Sequence, residues 1–166
     1  MLNSLRKRLH DRHAVRRLHA AIVARARDPV FYRDFGVSDT VDGRFDLIAL
    51  HAWLVLGRLR AAGLNDLSQA LTDMLFVSFD EGLRDLGAGD MGLGRRMKKL
   101  ANAFYGRLAA YDAAMDPRSM SAALTRNLYR GESANAAKVG AYVIAAREAL
   151  SQADLVSGII DFGPLP

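Results

Sequence analysis

The chain has 166 residues, 51% hydrophobic and 25% charged, with a formal net charge of +5 and no cysteine. These values exclude a disordered chain and a disulfide scaffold, and they remove thiolate metal sites and cysteine nucleophiles. No stretch reaches the roughly 18–20 apolar residues that span a bilayer, and the basic start lacks the apolar core and small-residue cleavage site of a secretory signal, so a cytoplasmic protein is expected.

The first predicted helix covers residues 3–27 and ends where Asp28-Pro29 removes a backbone donor. Residues 1–27 hold eight Lys/Arg and one acidic residue, a local +7, whereas the rest of the chain holds 15 basic and 17 acidic residues. The basic character therefore belongs to the N-terminus and not to the body. Leu2, Leu5 and Leu9 share one helix face, while Val15, Leu18 and Ile22 share another. One straight helix cannot bury both sets against the same core. Residues 1–13 are therefore predicted to form a basic amphipathic arm on a helical domain of residues 14–157, with residues 158–166 as an irregular tail. Arg6, Lys7, Arg8, Arg12, Arg16 and Arg17 suit the ribosome or another RNA-rich partner, or an anionic membrane surface. DNA is not among the partners expected.

Residues 29–45 read as an ordered loop anchored by Phe31, Tyr32 and Phe35, with a turn at Asp42-Gly43. A second helix is predicted over 46–62, ending at Gly63. A third starts at Asn65 or Asp66, where Asp66 and Gln69 have capping-box spacing, and runs to residue 86. The fourth begins at Asp90 or Gly92 and reaches residue 115. Asp116-Pro117 then starts a fifth that runs through residue 129, with Gly131 as its terminator. An alanine-rich sixth covers 133–155. There is no alternating strand pattern and no internal repeat. The fold class is all-α, a single compact bundle of about six helices with a basic N-terminal helical arm.

The run Gly87 to Gly94 looks at first like a phosphate loop, but it lacks a preceding strand and the Lys-Ser/Thr pair that phosphate loops require. It reads instead as a helix-to-helix turn leading into four cations, Arg95, Arg96, Lys98 and Lys99. Cations at a helix N-terminus oppose its dipole, so their presence points to an anionic partner. His10, His13 and His19 have no carboxylates at ligand spacing. His51, beside Trp53 in an apolar run, is predicted to be buried and hydrogen-bonded. Asp80 and Glu81 form an acidic helix face rather than an acid/base pair. No catalytic, cofactor-binding or metal residues are assigned, and the chain is not expected to be an enzyme. Trp53, Phe76, Phe79, Asp80 and Tyr105 are candidates to line a groove for a client or partner segment. Gly57, Gly106 and Gly140 inside predicted helices suggest close helix–helix approach or, at any of the three, a partner contact.

Four blocks in order carry a family resemblance. They are Phe45-Asp-Leu-Ile-Ala-Leu-His-Ala-Trp-Leu-Val-Leu-Gly-Arg-Leu59, Leu67-Ser-Gln-Ala-Leu-Thr-Asp-Met-Leu-Phe-Val-Ser-Phe-Asp-Glu-Gly-Leu-Arg84, Lys98-Lys-Leu-Ala-Asn-Ala-Phe-Tyr-Gly-Arg-Leu-Ala-Ala-Tyr111 and Ala122-Ala-Leu-Thr-Arg-Asn-Leu-Tyr129. Over residues 14–131 the chain resembles the ubiquinol–cytochrome c reductase chaperone family, in its compact bacterial branch. The resemblance implies an all-helical, non-enzymatic assembly factor without cofactors. Mitochondrial members work with a small partner protein at the ribosome exit and hold newly made cytochrome b for the bc1 complex. The expected function is thus a chaperone for cytochrome b or another bc1 subunit, cytoplasmic and peripheral on the inner membrane. The alternative is an RNA- or ribosome-binding helical module without a dedicated client.

Overall fold

The computed structural model describes residues 2–87, 89–131 and 135–165, with side chains from His10 onward except those of Asp90 and Met91. Among the described residues seven helices follow one another: α1 (Leu2–Ala26), α2 (Pro29–Arg33), α3 (Val41–Ala61), α4 (Asn65–Asp85), α5 (Asp90–Asp112), α6 (Pro117–Asn127) and α7 (Ala136–Ser151). Six are long and α2 is a single turn, and among the described residues there is no strand, only an isolated bridge between Asp154 and Ile159. The all-α bundle matches the sequence expectation.

α3 is the axis. Leu47, Leu50, Val55 and Leu59 on it have no exposed surface, and a helix apolar all round belongs inside a bundle. α1, α4, α5 and α7 all pack against α3, while α6 bridges α5 and α7. The C-terminal segment connects α7 back to α1. Arg17 Nη1 donates to Ser157 O at 3.3 Å and Arg25 Nη2 to Gly163 O at 2.6 Å. Gly158, at φ +70°, lies so close to α1 that an added Cβ would fall 2.4 Å from Ala14 O. Only glycine fits there, on both conformational and steric grounds.

Residues 29–45 depart from the predicted loop in two ways. Asp28 caps a short helix by accepting from Val30 N at 3.1 Å, with Pro29 in its first turn. Asp42-Gly43 does not form a turn but lies in the first turn of α3, because Thr40 accepts from Gly43 N at 3.1 Å and starts the helix five residues early. Gly43 is needed because a Cβ there would sit 1.9 Å from Ser38 O. The capping box expected at α4 does not form, since Gln69 donates to Asp73 instead and Leu64 gives no side-chain cap. At α6 a full capping box does form, between Asp116 and Ser119.

The first helix is continuous through the predicted arm, and its buried face begins at Ala14 and Val15 and continues through Leu18, Ile22 and Ala26. His10, Arg12 and His13 are exposed. The side chains of Arg6, Lys7 and Arg8 lie outside the described residues, as does residue 133, where the last helix was expected to start. The close approach expected at the helical glycines is absent. Nothing lies within 4 Å of a Cβ built on Gly57 or Gly106, and Gly140 meets Leu124 Cδ1 at an ordinary 3.8 Å.

Candidate functional site

One apolar groove opens where α1, α3, α4 and α5 meet, with a volume of about 460 Å³. Each helix supplies residues at helical spacing. α1 gives His19, Val23 and the following Arg27, α3 gives Val41, Arg44, Phe45 and Ile48, α4 gives Leu75, Phe79, Leu83 and the following Leu86, and α5 gives Leu100. Val41 and Leu86 are both about 59% exposed at its edges. Large apolar side chains held open to solvent on one patch mark a surface that meets a partner.

The groove wall is braced from behind. Phe45 and Phe79 meet edge to face at 5.4 Å, and Phe79 packs in turn on Phe76 and Phe104. The guanidinium of Arg107 lies 5.1 Å from the Phe45 ring centre. Its Nη2 is 2.6 Å from Asp46 Oδ1, and Arg130 Nη2 donates to Asp46 Oδ2 at 3.0 Å. Asp46 has no exposed surface, and burial raises its pKa to about 6 against the pull of the two guanidiniums. At neutral pH it is therefore a carboxylate, paired with Arg107 on α5 and with Arg130 in the turn after α6.

At the groove's rim two polar groups are left without partners. His19 Nε2 is buried with no hydrogen-bond partner, and burial, then the Arg27 charge, lower the pKa of the ring. Arg27 itself is exposed and has neither side-chain hydrogen bond nor ion pair. Arg44 pairs with Asp39 at 2.7 Å in solvent.

The residues singled out from sequence fall in different places. Phe79 lines the groove, while Phe76 lies behind it and stacks on the exposed Tyr105 at 5.8 Å. Asp80 pairs with Arg84 at 2.8 Å on the outer face of α4. Trp53 lies elsewhere, 5% exposed, with Nε1 donating to Asp112 at 2.6 Å and its ring beneath the Arg147 guanidinium. Arg95, Arg96, Lys98 and Lys99 are all exposed on α5, whose Leu93, Phe104, Leu108 and Tyr111 turn inward. Arg12 and Arg16 are exposed on α1, whereas Arg17 is spent on the C-terminal segment. Sequence reasoning missed His19, Val23 and Arg27, although their i, i+4, i+8 spacing beside the core stripe was a usable signal.

His51, expected to be buried, is fully so. It contacts Leu47 O and Tyr142 Oη, both at 2.8 Å, and Phe162 at right angles with ring centres 5.1 Å apart. Burial depresses its pKa to about 4. It is a core group, closed off from the groove. Among the described residues no set of His, Asp or Glu side chains could hold a metal ion, and no helix is long and apolar enough to cross a membrane.

The family model described as ubiquinol-cytochrome C chaperone matches residues 33–161. The chain belongs to this family. The match takes in α3, α4 and α5, so three of the groove's four walls lie within it. A crystal structure of the Cbp3 homolog from Brucella abortus is similar over 98% of each chain, with 40% identity and a TM-score of 0.85. Comparison with curated protein sequences gives no match. Family and fold together place the chain among the assembly chaperones of ubiquinol–cytochrome c reductase, the bc1 complex.

Proposed function

We propose that the groove between α1, α3, α4 and α5 holds an apolar segment of newly made or unassembled cytochrome b until that subunit joins the bc1 complex. The observation that carries this is the open apolar floor with Val41 and Leu86 displayed at its edges, in a member of a bc1 chaperone family. A membrane subunit outside its bilayer exposes apolar surface, and covering that surface is what such a groove is suited to do. The exposed cations of α5 and α1 keep the chaperone peripheral to the inner membrane or near the ribosome. Each Lys or Arg close to an anionic bilayer contributes about 1 kcal/mol. No catalytic step is needed.

The test is isolation of the tagged chain from membranes with cytochrome b present or deleted, together with bc1 levels in a deletion strain. Recovery of cytochrome b and a fall in assembled bc1 are expected. Normal bc1 in the deletion strain and no bound cytochrome b would sink the proposal. A second role, ribosome or RNA contact, is favoured by the four free cations Arg95, Arg96, Lys98 and Lys99. It predicts RNA affinity that falls steeply with salt and disappears when all four are changed to Glu.

A further inference from the structure

The groove is mainly apolar, its polar lining residues being Ser78, Arg44, His19 and Arg27, and of these the His19 ring nitrogen and the Arg27 guanidinium have no partner. Arg27 sits at the junction of the groove and a neighbouring basic hollow formed with Tyr32, Arg33 and Arg44. Arg33 and Arg44 are paired with Asp34 and Asp39, whereas Arg27 has no hydrogen bond or ion pair from its side chain. Two turns back along α1, yet near enough for the Arg27 charge to act on its ring, Nε2 of His19 is buried and unpartnered. In the free chain water serves the guanidinium. An apolar segment lying in the groove would strip that water away, and an unpaired charge under an apolar cover is strongly unfavourable. A wholly apolar occupant therefore fits the floor but not the rim.

Resting on the client-groove proposal above, we propose that the segment held there is an apolar helix carrying one acidic side chain, whose carboxylate is received by Arg27 and His19. The guanidinium offers the charge and the fork of donors that a carboxylate matches. The imidazole of His19, with its Nε2 protonated, adds a directional donor from inside the groove. The acid also sets the register, because a helix slid by one turn would leave both groups unsatisfied again.

The experiment uses the full chain and a labelled synthetic leucine–alanine helix of about 20 residues in neutral detergent, bearing Glu, Gln or Lys at its centre. Fluorescence anisotropy is expected to show the Glu helix binding about tenfold tighter than the Gln helix, with Lys weakest. Arg27→Gln should abolish the preference for Glu over Gln, Arg27→Glu should turn it towards Lys, and His19→Phe should reduce it while leaving the Gln helix bound. Equal binding of Glu and Gln helices, both lost in Leu83→Arg, overturns the acidic-residue proposal and leaves the client groove standing. Failure of every helix to bind overturns the groove itself. Phosphatidylcholine vesicles with and without phosphatidylserine form the last arm. If Arg27→Gln weakens vesicle binding but spares the Glu preference, the site reads lipid and the proposal is wrong.

Discussion

His51 and His19 both sit on helices amid apolar side chains, and they differ in how their rings are satisfied. Around His51 every group has a partner. Leu47 O and Tyr142 Oη hold the ring, Phe31 and Phe162 pack on it, and Arg25 lies over Phe162 while donating to Gly163 O. Around His19 the ring nitrogen and the nearby guanidinium of Arg27 are left over. A fold has strong reason to satisfy its own buried polar groups. Among the described residues three other buried polar atoms lack a hydrogen bond, Asp46 Oδ1, Arg107 Nε and Tyr111 Oη, and they lie around the ion pair behind the groove. Only His19 Nε2 is both unpartnered and in the groove lining, where a partner can reach it. That reach separates what holds the bundle together from what waits for a partner.

Asp46 tests where that line falls, since it lies behind the groove and is paired with two arginines. Asp46→Ala would leave Arg107, a mostly buried cation, without its anion. The expected loss is about 3–5 kcal/mol in urea unfolding at pH 7, with Arg130→Ala costing much less because Arg130 is half exposed. A loss under 1 kcal/mol for Asp46→Ala would mean that the network does not hold the wall behind Phe45. On the closed face, Phe162→Ala should cost about 3 kcal/mol, the usual effect of truncating a buried phenylalanine. It should leave helix binding in the groove unchanged, and a binding defect would show that the two faces are coupled.

The same two regions pull in opposite directions with pH. His51 titrates at about 4 when folded and near 6.5 when unfolded. The unfolded chain therefore binds the extra proton, and stability is full above about pH 6.5 and is lost as pH falls towards 4. Asp46 titrates at about 6 when folded and near 3.9 when unfolded, so its contribution instead declines as pH rises from about 4 to 6. The opposed slopes flatten the wild-type profile. Asp46→Asn removes one of them, and the variant should lose about 2–3 kcal/mol more than the wild type between pH 7 and 4 in urea melts.

Much of the fold was legible because local signals were strong. The stripe Val15, Leu18, Ile22 marked the buried face of α1, and Asp116-Pro117 marked the start of α6. The start of α3 was obscured because Asp-Gly favours turns, and the Thr40 cap outweighs that preference. The groove was legible only on the α4 side. Leu47 to Leu56 is apolar on all faces, so periodicity could not tell that Phe45 faces the groove and Trp53 faces Asp112. The Asp46–Arg130 contact joins positions 84 apart, and no local pattern records it.

The open face should respond to substitution in binding and hardly at all in stability. Leu86→Glu alters an exposed groove edge, so unfolding should change by no more than about 0.5 kcal/mol. Binding of an apolar helix should weaken about tenfold, near 1.4 kcal/mol. A variant that melts early but binds normally would put Leu86 on the structural side of the line.

The smallest effect separates the glycines that the fold requires from one that it does not. Gly57 lies inside α3 with open space at its Cβ position. Gly57→Ala restores helix propensity and restricts the unfolded chain, so stability should rise by up to about 1 kcal/mol. Gly158→Ala should do the reverse. Its positive φ is strained for alanine and its Cβ would strike the α1 backbone at Ala14, prising the C-terminal segment from the first helix. Gly57 also borders a hollow beside Trp53 and Arg147. If Gly57→Ala is stabilising yet lowers bc1 assembly in cells, a partner approaches α3 closely at that point. If assembly is unchanged, the glycine there serves neither packing nor contact, unlike Gly43 and Gly158, where backbones meet, and Gly63 and Gly131, where φ is positive.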